Sequence, residues 1–280
     1  MRRLVTLPLG TGESPVWDAR SNALWFVDIP APALFRLDLA TLVLQRHDMP
    51  SAIGSFGLCR DHRLIVALRT GVHFYDPAAN TFALVANPEK DIPGNRLNDG
   101  KVAPDGRFWV GSMDDTPAKG VTAALYRIDH DGSCTRMIDR LRLSNGLAWS
   151  ADGRTMVHSD TRHQWVQAWD YDMVTGAIAN RRTLCTLDDA AGRPDGAAMD
   201  MEGFYWSAGV SAGCLNRIGP DGRIERKLRL PVAAPTMPCF GGPDMKTLYI
   251  TSLAKGDEAG TVLETRVDVA GVPVARFGKP

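Results

Sequence analysis

Glu13, Asn98, Asn145 and Asp195 are the residues in this chain whose types and spacing could do chemistry together. Each stands seven residues ahead of a turn residue (Arg20, Asp105, Asp152 and Glu202). An apolar side chain, Trp17, Val102, Trp149 or Met199, stands three residues ahead of the same turn. Two of the four are carboxylates, two are amides, and none is His or Cys. Converging oxygen donors of mixed charge suit a hard divalent cation such as Ca²⁺, Mg²⁺ or Mn²⁺. Taken singly, Asn-Gly, Asn-Asp-Gly and Asp-Gly are turn sequences; the shared register is what sets these apart. Arg96 precedes Asn98 by two residues, so strand alternation puts both on one face. There Arg96 could guide an electron-rich substrate or close a rim salt bridge.

The elements that must position these residues repeat. From Arg96 to Met113, polar residues lead into a short apolar segment, an Asp105-Gly106 turn and the aromatic strand Phe108-Trp109-Val110. Asp-Gly between apolar runs marks a hairpin. The pattern recurs from Glu13, Asn145 and Asp195, and more weakly from Gly54 and Met237. The six leading positions are 41, 44, 47, 50 and 42 residues apart. A period in the forties with several short strands per unit is the signature of a β-propeller. Downstream hairpins begin at Leu34–Leu39, Val72–Tyr75, Leu125–Ile128, Gln167–Tyr171 and Leu215–Ile218. The sequence therefore predicts an all-β, six-bladed β-propeller, a single domain over 1–280, with a metal site on the central axis. Equivalent positions of successive blades lie around that axis. Residues 4–7 read as a lone strand that closes the last blade, and residues 114–120 as a rim or lid loop.

Composition narrows the function classes. Lys plus Arg equal Asp plus Glu at 32 each, which points to neither nucleic acid nor an anionic membrane. No run of about 18 apolar residues is present, and the N-terminus lacks the apolar core of a signal peptide. Five scattered cysteines without Cys-x-x-Cys spacing read as buried hydrophobes of a reducing compartment. The expectation is a cytoplasmic monomer or weak homo-oligomer. There is no His-Glu-x-x-His pattern, Gly-x-Ser-x-Gly elbow or phosphate loop. The six histidines read as structural or surface residues and the seven tryptophans as blade core.

At these residues the chain resembles the senescence marker protein, regucalcin and gluconolactonase family of six-bladed propellers. The matching motifs fall in order: Gly12-Glu13-Ser14-Pro15-Val16-Trp17, Asn95-Arg96-Leu97-Asn98-Asp99-Gly100-Lys101, Ser144-Asn145-Gly146-Leu147-Ala148-Trp149, Pro194-Asp195-Gly196 and Cys239-Phe240-Gly241-Gly242. The resemblance implies that Glu13, Asn145 and Asp195 bind one divalent metal. It implies that Arg96 and Asn98 face the substrate and that Asp195 is the general base. Animal members carry a Glu on the loop after the third blade's inner strands, and residues 117–123 offer none.

The implied reaction is hydrolysis of a sugar lactone to its aldonic acid, with the metal polarising the carbonyl. The metal could be Ca, Zn, Mn, Mg or Fe(II), and the sugar a pentono- or hexonolactone, neutral or acidic. Two other readings share the scaffold: a non-catalytic metal- or ligand-binding propeller, and a phosphotriesterase-type ester hydrolase. Arg96 is expected near the surface, so that Arg96→Ala changes stability by no more than about 1 kcal/mol.

Overall fold

In the computed structural model, which describes residues 1–279, six four-stranded antiparallel sheets follow one another around a ring. Blades one to five run through Gly12–Asp18 to Leu44–Asp48, Ile53–Leu58 to Thr81–Ala86, Asn95–Val102 to Cys134–Leu141, Ser144–Trp149 to Ile178–Thr186, and Pro194–Met199 to Ile224–Arg229. Blade six takes Pro235–Gly241, Thr247–Ser252 and Val262–Arg266 from the end of the chain and Arg2–Arg3 from its beginning. The chain ends thus share a blade, as expected. The closing strand is Arg2–Arg3 rather than residues 4–7. Only Leu4 of that segment adds a ladder-like bond, from its amide to the Val262 carbonyl at 2.8 Å. Pro8 lacks an amide donor, and the chain bends at Leu7 before Leu9 bridges to Gly260.

The blades grade from inside to outside. All six inner strands are buried almost end to end, while outer strands such as Ile178–Thr186 carry Arg181 and Arg182 into solvent. Charged outer strands discourage edge-to-edge association. The core is divided among the six blade interfaces. Val27, Leu34, Phe56 and Val66 fill the first, and Trp109, Leu125, Leu147 and Trp149 the third. Leu24, Phe35, Tyr249 and Val262 seal the last blade to the first. Of the seven tryptophans expected in the core, five are buried, Trp109 and Trp206 fully, while Trp17 and Trp165 are half-buried at its margins.

Residues 271–278 cross one end of the axial channel. Val272 and Phe277 donate backbone bonds to Met199 and Leu58, and Arg276 pairs with Asp18. Beneath them a cavity of about 40 Å³ remains, lined by Pro15, Lys101, Trp149, Cys239 and Pro273 among others. This tail covers the channel on the side away from the leading residues.

Candidate functional site

The six inner strands share a local irregularity, and it falls where the leading residues stand. Register shifts lie between Glu13 and Val16, Ile53 and Ser55, Leu97 and Gly100, Asn145 and Ala148, Pro194 and Ala197, and Pro235 and Met237. A β-bulge sets two residues against one on the partner strand and re-aims the side chains there. The leading positions lie within the inner strands, Gly54, Asn98 and Asp195 inside these bulges and Glu13, Asn145 and Met237 at their edges. Glu13, Asn98, Asn145 and Asp195 are all buried.

Two leading positions carry no oxygen donor, and packing accounts for blade two. A Cβ on Gly54 would lie 2.6 Å from the Leu97 carbonyl oxygen and 2.7 Å from that of Asn98. The inner strands of blades two and three approach there too closely for any side chain. In blade six, Met237 occupies the position and is buried.

A hydrogen-bond chain connects the mouth to the axis. Arg96 Nη1 donates to Asn98 Oδ1 at 2.8 Å and to the Leu97 carbonyl at 3.0 Å. Asn98 Nδ2 donates to Asn145 Oδ1 at 3.1 Å and to the Ser144 carbonyl at 3.0 Å. Asn145 Nδ2 donates to Thr161 Oγ1 at 2.7 Å. These bonds fix which way each amide faces. Asn145 keeps one lone pair of Oδ1 free. Asn98 has both amide hydrogens engaged and can only accept from a further group. Arg96 meets Asn98 as alternation predicts. However, its side chain is only 12% exposed, and it also lies 3.6 Å from Asp115. It is therefore a largely buried residue rather than the near-surface one expected.

The electrostatics of the axis are unbalanced. Burial raises the carboxyl of Glu13 well above the usual carboxylate range, and the charges of Asp195 and Asp99 push it further. Burial does the same to Asp195, with Asp99 adding to it. Asp99 is raised by burial too, against the pull of the Lys101 ammonium. Its Oδ2 accepts the Gly146 amide at 2.7 Å, while its buried Oδ1 has no partner. Lys101 is buried, donates to the Ala197 carbonyl, and is pushed down by desolvation.

A divalent cation fits this donor set. It would relieve repulsion among buried carboxylates and accept the free lone pairs of Glu13, Asn145 and Asp195. Among the described residues, no three His, Cys, Asp or Glu side chains form a group able to hold a metal. The candidate set differs in drawing one donor from an amide.

Three nearby residues were not assigned from sequence. Asp99 stood in the quoted Asn98-Asp99-Gly100 motif, but strand alternation would turn it away from Asn98; the bulge overrides that. Lys101, two residues on, was the signal for its counter-charge. Asp115, on the rim loop 114–120, puts a carboxylate beside Arg96, just ahead of residues 117–123, which hold no Glu.

Residues 11–254 match the family model described as the SMP-30/Gluconolactonase/LRE-like region. The chain is 37% identical over 253 residues to regucalcin of Xenopus laevis, covering 88% of this chain and 84% of that protein. It is 36% identical over 281 residues to a 6-deoxy-6-sulfogluconolactonase of Pseudomonas putida, covering 97% and 96%. Among solved structures it is similar to a calcium-binding protein, regucalcin, from Agrobacterium tumefaciens. The TM-score is 0.91 at 26% identity, covering 100% of this chain and 97% of the other.

Proposed function

The chain belongs to the SMP-30/gluconolactonase/LRE-like family, and on that premise we propose that it is a metal-dependent sugar lactonase, hydrolysing an aldonolactone to the aldonic acid. The observation that carries this reading is the placement of two buried carboxylates, Glu13 and Asp195, and the amide of Asn145 at equivalent bulges of three inner strands, where burial raises both carboxyls. The Pseudomonas relative's name supports a lactone substrate, and the Agrobacterium protein's supports a bound divalent ion. Glu13, Asn145 and Asp195 are the ligands in this proposal. The cation, when bound, supplies Lewis-acid polarisation of the lactone carbonyl and stabilises negative charge developing on its oxygen.

The chain's own groups do the rest. Arg96 and Asn98 orient the lactone, Arg96 through its remaining guanidinium hydrogens and Asn98 by accepting a sugar hydroxyl at Oδ1. Asp195 takes a proton from the attacking water as its oxygen bonds to the carbonyl carbon. The tetrahedral adduct collapses, the ring C–O bond breaks, and the proton passes from Asp195 to the departing oxygen. The tail over the far end of the channel leaves the rim face as the route for substrate.

The test is a pH-stat screen of aldonolactones after chelation, with metals added back singly. An all-oxygen site of mixed charge discriminates poorly among such ions, so Mn²⁺ and Zn²⁺, among others, are each expected to restore turnover. Asp195→Asn at saturating metal should remain about 10²–10⁴-fold slower, the usual loss with a general base. Parent-like kcat in that variant would reduce Asp195 to a ligand, and indifference of activity to chelation would remove the metal from the mechanism.

A further inference from the structure

Three cations converge on one carboxylate at the rim. Arg69 ends the turn side of Leu64–Leu68 in blade two, Arg96 belongs to blade three's inner strand, and Lys119 sits on the loop after Phe108–Asp114. Arg69 Nη2 pairs with Asp115 Oδ2. Arg96 Nε lies 3.6 Å and Lys119 Nζ 3.9 Å from Asp115 Oδ1. The neighbouring Asp114 is held by its own loop, accepting the amides of Thr116 and Gly120. At the rim three positive charges thus face two carboxylates, one of them engaged in shaping the loop, and Glu13 acts on Arg96 from the inner side. The Arg69 charge works directly against that of Arg96. Among the described residues, Nε and Nη1 of Arg69 have no protein partner, and its side chain is 43% exposed.

Orienting sugar hydroxyls would need the Asp115 carboxylate and one arginine. A crowded trio with unused donors is the arrangement that an added anion stabilises. From Arg96 the hydrogen bonds run on through Asn98 to Asn145, so the trio lies at the outer end of the site. We propose that Arg69, Arg96 and Lys119 form a subsite for an anionic substituent, a carboxylate, sulfonate or phosphate, at the end of the lactone remote from its carbonyl. This rests on the lactonase reading for the placement of the carbonyl, and the rim geometry supplies the charge preference.

Calorimetric titration of the Mn²⁺-loaded protein with gluconate and with 6-phosphogluconate tests the subsite without turnover. The phosphorylated acid should bind at least about tenfold more tightly at low salt, since one charge-assisted contact is worth that much. That preference should shrink as salt rises. Arg69→Ala and Lys119→Ala, at positions exposed enough to fold normally, should each reduce the ratio of the two affinities several-fold. Equal affinities in the parent, or variants that weaken both acids by the same factor, would overturn the subsite. Parallel kcat/KM values for glucono-1,5-lactone and its 6-phospho derivative separate the two readings. Turnover of both without discrimination leaves the lactonase standing and removes the subsite. Charge-selective binding with no hydrolysis of either does the reverse.

Discussion

Asn98 is held from both sides, by Arg96 at its oxygen and by Asn145 and Ser144 at its nitrogen. Arg96 therefore positions the amide that positions a proposed metal ligand, besides any contact with substrate. Arg96→Ala removes two hydrogen bonds and an ion pair from a largely buried place. The stability loss should be about 1–3 kcal/mol, more than a surface change, because Asn98 Oδ1 loses its donor. Arg69 and Lys119 continue to neutralise Asp115, which limits the damage. kcat/KM should fall at least about tenfold; normal kinetics in a destabilised variant would make Arg96 purely structural. His158 offers a separate check on burial. It is fully enclosed against Trp165 and Trp169, with Nε2 2.8 Å from Ser144 Oγ, and desolvation pushes it down to about 4 despite Asp160 nearby. The unfolded chain, with an ordinary value near 6.5, binds the proton first. Stability is fully present above pH about 6.5 and is lost as pH falls toward 4, by up to about 3 kcal/mol from this residue. Denaturant titrations at pH 7 and pH 4.5 should show His158→Asn losing less on acidification than the parent; an equal loss would mean that His158 is not buried neutral.

At the scale of the strand, six bulges separate what the sequence could reveal from what it could not. The repeat at Glu13, Asn98, Asn145 and Asp195 was readable because each copy keeps the same distance to its turn, whatever the backbone does between. The ring followed from the period, since side-chain equivalence needs only chain order. Alternation, by contrast, assumes a regular ladder. It paired Arg96 with Asn98 correctly, but it turned Asp99 away from the axis because a bulge leaves no fixed residue signature. Asp115 was hidden for another reason: a loop's path depends on contacts such as its amide with the Gly94 carbonyl, which no local pattern encodes. Gly54 was visible only as a weak copy, whereas in the fold it is the point of closest approach between two inner strands. Gly54→Ala should cost about 1–3 kcal/mol, as overpacking does, because the added methyl meets carbonyl oxygens of Leu97 and Asn98 rather than a flexible side chain. By displacing Asn98 it should also lower kcat/KM. Unchanged thermal stability would show that the two blades can part without strain.

The ring as a whole stands or falls at the interface where its ends meet. Five of the six blade interfaces lie between consecutive blades of the chain, whereas the sixth joins blade six to blade one and depends on the N-terminal residues. Two kinds of contact hold the N-terminal segment in place, ion pairs within blade six and an apolar contact that reaches blade one. Arg2 pairs with Glu264 at 3.3 Å and Arg3 with Glu258 at 2.9 Å, and all four side chains are at least a quarter exposed. Such pairs contribute about 0–1 kcal/mol each. Val5 and Leu9, by contrast, are buried with Leu24, Phe26, Tyr249 and Val262, and Leu9 exchanges backbone bonds with Gly260 in both directions. Truncating a buried leucine typically costs about 2–5 kcal/mol, so the apolar contact outweighs both ion pairs together. Leu9→Ala should therefore lower the midpoint of thermal unfolding by several degrees, and Arg2→Ala with Arg3→Ala by little. Release of the N-terminal segment also bares Val262–Arg266 as an unpaired edge, so light scattering during the melt should rise earlier in Leu9→Ala than in the double arginine variant. The opposite ranking would mean that the ring is closed by its charges.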